Sequence, residues 1–417
     1  MLKILRSNDT ADIEALFSRR SVRMGEAEAI VEPILAAVRG RGDAGLVEYA
    51  KKFDGLEADT VRIAPEQLRS AAAAVDDGLR ESVRVASEQV RAYARLQLPN
   101  EWSREVGSGI KLGQIVRPLE SIGAYIPGGR YPLPSTLMMT VIPAQEAGVA
   151  TISAASPAMS PATLGVAGVL GVDNFFHMGG AQAIAAFAFG TETVPKAQRI
   201  VGPGNIYVAA AKKILAGETG IDFVAGPTEI LLISTDGDPR HLAADILAQA
   251  EHDVDAAAIL LTTSREHAAR VVEQVEVQLG DLTTADVARQ AVDRNSAVVV
   301  CNSMDEAFEI SNRFAPEHLS IPSSDMLANV TNAGSVFVGT WSPEAAGDYA
   351  SGPNHVLPTG GNAALRGGLS ILDYVKIISV QELSEPGLRR LAPSITQLAR
   401  AEGLEAHARS VEVRLDD

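Results

Sequence analysis

Four histidines in polar, turn-rich surroundings offer this sequence its clearest chemistry. They are His252, His318, His355 and His407, out of seven histidines in 417 residues. Imidazole nitrogens beside carboxylate and amide oxygens, without cysteine, suit zinc or another divalent ion. We expect His177, which follows two phenylalanines on a predicted strand, to be structural, and His241 and His267 to lie at helix starts or on the surface.

Residues 241–252 predict a helix that ends at two possible metal ligands. Leu242 and Ile246 define an apolar stripe, and Gln249 falls on the same stripe. A polar residue at that position needs a partner, and His252 can project toward the same point from three residues later. The alternative is a capped helix end with a solvated histidine.

The dipeptide Glu317-His318 places an acid beside an imidazole just after Pro316, which we expect to break the preceding helix. Both side chains would then face a cleft from a loop. Histidine titrates near neutrality, and partial burial raises the pKa of a glutamate toward the same range, so the pair suits proton transfer. The alternative is an exposed pair at a helix end.

A turn-rich segment, residues 347–361, carries Asp348, Asn354 and His355 between glycines and prolines. Loops of this composition are commonly held in place for binding or catalysis. A surface loop without function is the alternative.

Two glycine turns lie where a nucleotide could bind. Residues 201–205 end a predicted strand and open a helix over 206–215, and residues 179–184 repeat this arrangement. Backbone N–H groups and the positive end of a helix dipole could face a pyrophosphate there. Neither turn has the GxGxxG pattern with an acid about 20 residues later, so the standard dinucleotide fingerprint is absent.

The composition is that of a globular protein with more than one domain, since 417 residues exceed the usual size of a single core. The net charge of −16 disfavours nucleic acid and anionic membranes as partners, because both need a basic face. Cys301 is the single cysteine, which excludes an intrachain disulfide and a thiolate zinc cluster. We find no signal peptide and no apolar run of about 18 residues, and we expect a cytoplasmic protein.

The elements that must position these residues predict an α/β fold. Residues 8–97 show helical spacing, and short apolar runs then alternate with helical patterns. The runs lie at 122–126, 150–154, 174–178, 199–201, 229–234, 256–262, 296–301 and 335–338. Runs of this length are typical of buried parallel strands, so we predict two doubly wound, Rossmann-like domains with small helical N- and C-terminal appendages.

Turn clusters at 127–129 and 225–227 bracket about one α/β unit. We therefore predict that the chain has four parts. They are an N-terminal segment over 1–19, a first Rossmann-like domain from 20–122 plus 229–372, an inserted second domain over 123–228, and a helical C-terminal segment over 373–417.

Eight motifs in order along the chain together resemble the histidinol dehydrogenase family. They are YIPGG at 125–129, GGAQAIAA at 179–186, VGPGN at 201–205, AGPTE at 225–229, QAEH at 249–252, APEHL at 315–319, GDYASG at 347–352 and NHVLP at 354–358. The resemblance implies a zinc-dependent, NAD-linked oxidation of L-histidinol through L-histidinal to L-histidine, in histidine biosynthesis. It also implies a homodimer, with the cofactor bound by the second domain and the C-terminal segment crossing to the other subunit.

The resemblance assigns a role to each site residue. The zinc ligands would be Gln249, His252, Asp348 and the partner subunit's His407, and these four would also contact the substrate together with Thr228, His318, His355 and the partner subunit's Glu402. The NAD contacts would be Tyr125, Gln182 and Asn205. His318 would take the hydroxyl proton, and Glu317 would activate the water that attacks the aldehyde. Thr228 stands where the family more often has serine, and Arg130 is a second position at which relatives vary.

Three other interpretations stay open. A related zinc and NAD dehydrogenase could oxidise another small polar alcohol with the same machinery, although Glu402 and His355 favour histidinol. A non-catalytic binding protein on this fold would tolerate loss of the metal and base residues, and none is missing from this sequence. A zinc hydrolase with Glu317 as its base would have no use for a nicotinamide cofactor.

Overall fold

The computed structural model describes residues 2–18, 24–129 and 131–416. Its strands are β1 (Lys3–Arg6), β2 (Arg62–Ile63), β3 (Trp102–Gly107), β4 (Ile110–Pro118), β5 (Ser121–Tyr125), β6 (Thr151–Ser156), β7 (Asn174–His177), β8 (Arg199–Val201), β9 (Gly220–Ile221), β10 (Glu229–Ile233), β11 (Ala257–Thr262), β12 (Ala297–Val300), β13 (His318–Ile321), β14 (Ser335–Val338) and β15 (Val375–Leu383). All eight predicted strands are confirmed, to within two residues at each end.

The helices of the described ranges connect these strands. They are α1 (Thr10–Ser18), α2 (Met24–Arg41), α3 (Asp43–Phe53), α4 (Pro65–Ala73), α5 (Asp77–Gln97), α6 (Pro134–Ala147), α7 (Pro161–Val169), α8 (Gly180–Phe189), α9 (Ile206–Leu215), α10 (Pro239–Ala250), α11 (Arg265–Leu279), α12 (Ala285–Asn295), α13 (Met304–Phe314), α14 (Glu344–Tyr349), α15 (Glu385–Ala401) and α16 (Glu405–Glu412). Short 3-10 helices lie at Ser324–Asn329, Asn362–Ala364 and Ile371–Tyr374. None of the helices in these ranges has the length and apolar character to cross a membrane.

The first sheet is parallel throughout, with strand order β1-β12-β11-β10-β13-β14. Every residue of β10 and β11 is buried, because helices cover both faces of the sheet. Apolar residues of α10, α11 and α12 form the core on one face, and those of α1 and α13 form the core on the other. The apolar runs of the sequence predicted four of the six strands of this sheet, β10, β11, β12 and β14.

The second sheet has strand order β2-β7-β6-β5-β8-β9, and only the short β2 runs antiparallel to its neighbour. One core lies between this sheet and α2, α3, α8 and α9, and a second core involves α5, α6 and α7. The two parallel sheets with helices on their faces confirm the predicted α/β, doubly wound fold class.

The packing groups several segments differently from the predicted boundaries. Strand β1 joins the first sheet, although the prediction placed it in an N-terminal segment over 1–19. Helices α2 to α5 pack on α6 to α9 of the second sheet, although the prediction placed residues 20–122 with the first. Helical spacing shows that a segment is helical, but it does not show which sheet covers its apolar face. The predicted helical segment 373–417 begins instead with β15, which forms an antiparallel sheet with β4 and β3.

The functional residues lie at the carboxyl ends of the strands in the second sheet and at the amino ends of the strands in the first. In the second sheet the direction of winding reverses between β5 and β8, and the chain after these strands carries the 127–129 and 202–205 turns. Such a reversal at the carboxyl ends of strands is the usual place for a ligand in an open α/β sheet. In the first sheet Thr228 and Glu317 lie at the amino ends of β10 and β13 instead.

Candidate active site

A cavity of about 540 Å³ lies where these two sets of strand ends approach each other. Its walls include Thr228, His252, Glu317, His318, Asp348 and His355 from the first sheet and its loops. Pro127, Gly204 and Asn205 reach it from the turns of the second sheet. Segments that are far apart in sequence, such as those of Pro127 and His355, thus line one space.

Glu317 is buried at the base of this cavity, with 6% of its surface exposed. Its Oε2 accepts hydrogen bonds from Thr228 Oγ1 at 2.6 Å and from the backbone N–H of Glu229 at 2.8 Å. Burial raises the pKa of Glu317 well above its usual range, while the two hydrogen bonds act in the opposite direction. A carboxyl group with a raised pKa can exchange protons near neutral pH, as a general base must.

His318 faces the cavity as predicted, but it does so as the first residue of β13 rather than from a loop, and it is only 3% exposed. Its Nδ1 lies 3.3 Å from the carbonyl oxygen of Glu229 and 3.5 Å from Glu344 Oε1. These acceptors favour a proton on Nδ1, which leaves Nε2 free to accept one. Burial lowers the pKa of His318 to about 4, so the ring is neutral at pH 7. The alternative of an exposed pair at a helix end is excluded by the burial of both side chains.

Two of the four predicted zinc ligands, His252 and Asp348, lie close together beside this pair. His252 Nε2 lies 3.7 Å from Asp348 Oδ2, and its Nδ1 is 2.9 Å from the carbonyl oxygen of Ala248, which orients the ring. Gln249 is completely buried behind the cavity wall, where its amide contacts Thr228 Oγ1 at 2.7 Å. An imidazole, a carboxylate and an amide oxygen with one ligand still to be supplied fit a zinc site.

A second combination of side chains overlaps the predicted set. His318, Glu344 and Asp348 each offer a ligand atom within 4.8 Å of the others, and this is the group that the described residues offer for a metal ion. Only Asp348 belongs to both sets. The sequence prediction did not include Glu344, which lies one helical turn before Asp348 on α14 and shares its face. That spacing is the signal that could have identified it.

His355 closes the cavity from the long loop after α14. Its Nδ1 lies 2.8 Å from the carbonyl oxygen of Asp348, and its Nε2 lies 3.1 Å from Thr136 Oγ1 on α6. Asn354, in the same loop, donates to the carbonyl oxygen of Met139 on α6 at 2.6 Å. Hydrogen bonds therefore hold the loop against α14 and α6, and these contacts disfavour the alternative of a surface loop without function.

A neighbouring cavity of about 490 Å³ contains all three predicted NAD contacts, Tyr125, Gln182 and Asn205. Pro127 and Asn205 line both cavities, so the two spaces adjoin. Tyr125 is buried at the end of β5, and its hydroxyl oxygen accepts from the backbone N–H of Gly180 at 3.2 Å. The exposed rings of Phe53 and Tyr207 also border this second cavity.

Asp54 is a second residue that the sequence prediction missed. Its Oδ2 accepts from the backbone N–H of Gly179 at 2.9 Å and from Gln182 Nε2 at 2.8 Å, which places a carboxylate at the start of α8. At the other turn, Asn205 Oδ1 caps α9 by accepting from the backbone N–H groups of Tyr207 and Val208. Side chains therefore accept from backbone N–H groups at the starts of both helices, which is where a phosphate binds in proteins that carry the usual fingerprint.

Two predicted site residues do not reach the cavity of their own chain. Glu402 and His407 are exposed, at the end of α15 and on α16 respectively, and neither borders the cavity. Of the other histidines, His177 lies on β7 with Nε2 near two backbone carbonyls, and His241 is exposed in the first turn of α10. His267 starts α11 as expected but is buried rather than on the surface. Arg130 lies outside the described residues.

A sequence model described as histidinol dehydrogenase matches residues 17–415 of this chain. The chain belongs to the histidinol dehydrogenase family. Proteins named histidinol dehydrogenase from Thermus thermophilus and Geobacter metallireducens are 47% and 45% identical to it, over 97% and 99% of this chain and 98% of each relative. The crystal structure of histidinol dehydrogenase from Elizabethkingia anophelis superposes with a TM-score of 0.95 at 37% identity, covering 99% of this chain and 98% of that one.

Membership in the histidinol dehydrogenase family makes the chain an oxidoreductase of histidine biosynthesis, with NAD and zinc as its cofactors. The predicted family, enzyme class and cofactors are thereby confirmed. The roles of individual residues rest instead on the geometry of the two cavities.

Proposed function

We propose that this chain oxidises L-histidinol to L-histidine in two NAD-linked steps at the cavity between its two sheets. The observation that carries this proposal is the adjacency of two different proton-transfer groups. A neutral imidazole, His318, and a buried carboxyl group of raised pKa, Glu317, line one cavity, which adjoins the cavity of the proposed NAD contacts. Two oxidations with different proton requirements need two such groups.

When bound, zinc offers positions to hold the imidazole and amine of the substrate, and NAD accepts a hydride in each oxidation. Gln249, His252 and Asp348 would hold the metal. In the first oxidation His318 Nε2 removes the hydroxyl proton of the alcohol, because its Nδ1 is directed at the carbonyl oxygen of Glu229 and its ring is neutral. The product of this step is the aldehyde, L-histidinal.

In the second oxidation Glu317 takes a proton from water as the water adds to the aldehyde carbon, which gives the monoanion of the hydrate. Loss of a hydride from that carbon to NAD then yields the carboxylic acid. Thr228 and the backbone N–H of Glu229 hold Glu317 Oε2 in place, so that its other oxygen can face the reactants. Substrate contacts would come from Thr228, His318, Asp348 and His355 of the same chain.

We propose further that the partner subunit's His407 and the partner subunit's Glu402 complete the site in a homodimer. The surfaces around α15 and α16 support this arrangement. Strand β15 is exposed along eight of its nine residues, with Ile377 at 51% and Ile378 at 43% exposure, and Leu398 is 64% exposed. Apolar residues exposed together in this way mark surfaces that another chain covers. A carboxylate from that chain could then face the ammonium group of the substrate.

The region over 123–228 would bind NAD, since it contributes Tyr125, Gln182 and Asn205 at the carboxyl ends of the second sheet. We place the protein in the cytoplasm, where a single buried cysteine such as Cys301 stays reduced. A related dehydrogenase for another small alcohol is the main rival, and a binding protein or a zinc hydrolase is a more distant one.

The stoichiometry of NADH formation separates these possibilities. Purified, zinc-loaded protein should form about two NADH for each L-histidinol consumed, because each of the two oxidations transfers one hydride to NAD. A small polar alcohol without an imidazole is the matched control and should give no NADH. Turnover of that control but not of histidinol would favour the related dehydrogenase, and no NADH with either would leave a binding protein or a hydrolase.

A further inference from the structure

Glu344 is a buried carboxylate that borders the active site without lining its cavity. It begins α14, one helical turn before the proposed metal ligand Asp348, and only 3% of its surface is exposed. Burial of a carboxylate is costly unless it accepts hydrogen bonds. The groups that it faces are the amide of Gln249 and, at 3.5 Å, His318 Nδ1. Both belong to residues with proposed roles in the reaction.

The contacts of Gln249 fix which way its amide must point. One terminal atom of this amide lies 2.6 Å from Glu344 Oε1 and 3.2 Å from Glu344 Oε2, and the other lies 2.7 Å from Thr228 Oγ1. Carboxylate oxygens accept hydrogen bonds, so the atom beside Glu344 is the amide nitrogen. The amide oxygen therefore points toward Thr228, on the cavity side.

The Thr228 hydroxyl has a single proton, and its other neighbour is Glu317 Oε2 at 2.6 Å. The amide oxygen of Gln249 has two lone pairs, so at least one of them stays unused whether or not it accepts from Thr228. An unused oxygen lone pair is what a metal ligand needs. The contact with Glu344 opposes rotation of the amide by half a turn, which would present the amide nitrogen, a group that cannot bind a metal.

We propose that Glu344 is a positioning residue, which holds the amide nitrogen of Gln249 so that the amide oxygen faces the zinc site. The proposal rests on the proposed function only in using Gln249 as a zinc ligand. Groups that orient a metal ligand in this way contribute to metal affinity although they do not touch the metal. Glu344 Oε1 also lies 3.5 Å from His318 Nδ1, and an acceptor at that position favours the tautomer with a free Nε2.

The test measures metal binding by the full-length apoprotein in the absence of histidinol and NAD. Zinc affinity is obtained by competition with a chromophoric chelator for the unaltered protein, Glu344→Leu and Glu344→Gln. We expect Glu344→Leu to bind zinc about 10- to 100-fold more weakly, because it removes the acceptor, and Glu344→Gln to stay close to the unaltered protein, because its amide oxygen still accepts. Val275→Ala, in the buried core of the first sheet, is the control for lost stability and should leave zinc affinity unchanged.

Cobalt spectra separate a positioning residue from a metal ligand. With saturating Co²⁺, Glu344→Leu should show the same visible absorption bands as the unaltered protein, because the ligand set is intact. Altered bands at saturation would mean that Glu344 is itself a ligand, and unchanged zinc affinity in Glu344→Leu would remove its role altogether; either result overturns the proposal. If Glu344→Leu does not fold, Glu344→Asp replaces it, since the shorter carboxylate should weaken zinc binding where Glu344→Gln does not.

These measurements do not depend on turnover. A protein that shows the expected loss of zinc affinity in Glu344→Leu but does not oxidise histidinol would contradict the proposed function and leave the role of Glu344 standing. The reverse combination, normal oxidation with equal zinc affinity in all variants, would contradict the role of Glu344 alone.

Discussion

Replacing Thr228 with valine should damage the second oxidation by a defined amount. Valine has nearly the shape of threonine but no hydroxyl, so Glu317 Oε2 loses the hydrogen bond of 2.6 Å and keeps the one of 2.8 Å from the Glu229 N–H. A hydrogen bond to a charged group contributes about 1.5–3 kcal/mol, which corresponds to about 10- to 150-fold in rate. We expect a loss of that size in kcat/KM for L-histidinal.

The pH dependence of the same variant has a definite sign. The Thr228 hydroxyl lowers the pKa of Glu317 against the opposing effect of burial, so its removal raises that pKa further. Glu317 must be deprotonated to activate water, and the acidic limb of the rate profile for histidinal should therefore move to higher pH.

The assay follows NADH formation with L-histidinal and with L-histidinol, in the unaltered protein, Thr228→Val and Thr228→Ser. Serine keeps the hydroxyl and is the matched control, expected within about threefold of the unaltered protein, well below the cost of a lost hydrogen bond. Equal rates for Thr228→Val and the unaltered protein with histidinal would refute the reasoning, and so would an equal loss in Thr228→Ser.

Three other predictions concern the dimer, a buried ion pair and a buried histidine. His407→Ala and His318→Gln should each be inactive alone. When the two variants are unfolded, mixed and refolded together, half of the dimers contain one copy of each and have one intact site of two, so about a quarter of full activity should return. If no NADH formation returns, His407 serves the site of its own chain. Lys212→Met should lower the free energy of unfolding by about 3–5 kcal/mol, because it leaves the buried Asp222 beside the 202 turn without its cationic partner. Denaturant titration measures this loss, and adding Asp222→Asn to the same protein should restore part of the free energy of unfolding. His267 is buried, and among the described residues neither of its ring nitrogens has a hydrogen-bond partner. Burial lowers the pKa of His267 from 6.5, so below that pH the unfolded chain binds a proton at this ring more readily than the folded chain does. Stability should fall as pH drops through 6.5, and thermal unfolding of His267→Leu should show a weaker fall; an unchanged pH dependence would count against this.

Eight of the twelve strands in the two large sheets could be predicted from sequence because they are short apolar runs. The predicted runs at 199–201 and 335–338 have the observed bounds of β8 and β14. The missed strands lack that signal. β15 mixes apolar with polar and charged residues and is exposed along eight of its nine residues, β1 has a basic residue at each end, and β2 is only two residues long. Such strands are defined by the partners that they pair with rather than by their own composition.

The site was predictable where its residues are close in sequence and not where only the fold brings them together. Gln249 and His252 lie three residues apart, so helical geometry could predict that they project toward one point. The contact of Gln249 with Thr228 and Glu344 depends on how α10 lies beside β10 and α14, which no local pattern contains. Asp54 was missed for the same reason, since its partners lie about 125 residues further along the chain.

The division of labour between His318 and Glu317 is the central claim, and it is tested by measuring the two oxidations separately. His318→Gln should slow the oxidation of L-histidinol by about 10²- to 10⁴-fold, the usual contribution of a general base, and affect the oxidation of added L-histidinal much less. Glu317→Gln should show the opposite pattern. The oxidation of histidinal should fail, while one NADH per histidinol is still formed quickly in the first oxidation. Equal losses in both steps for both variants would contradict the claim.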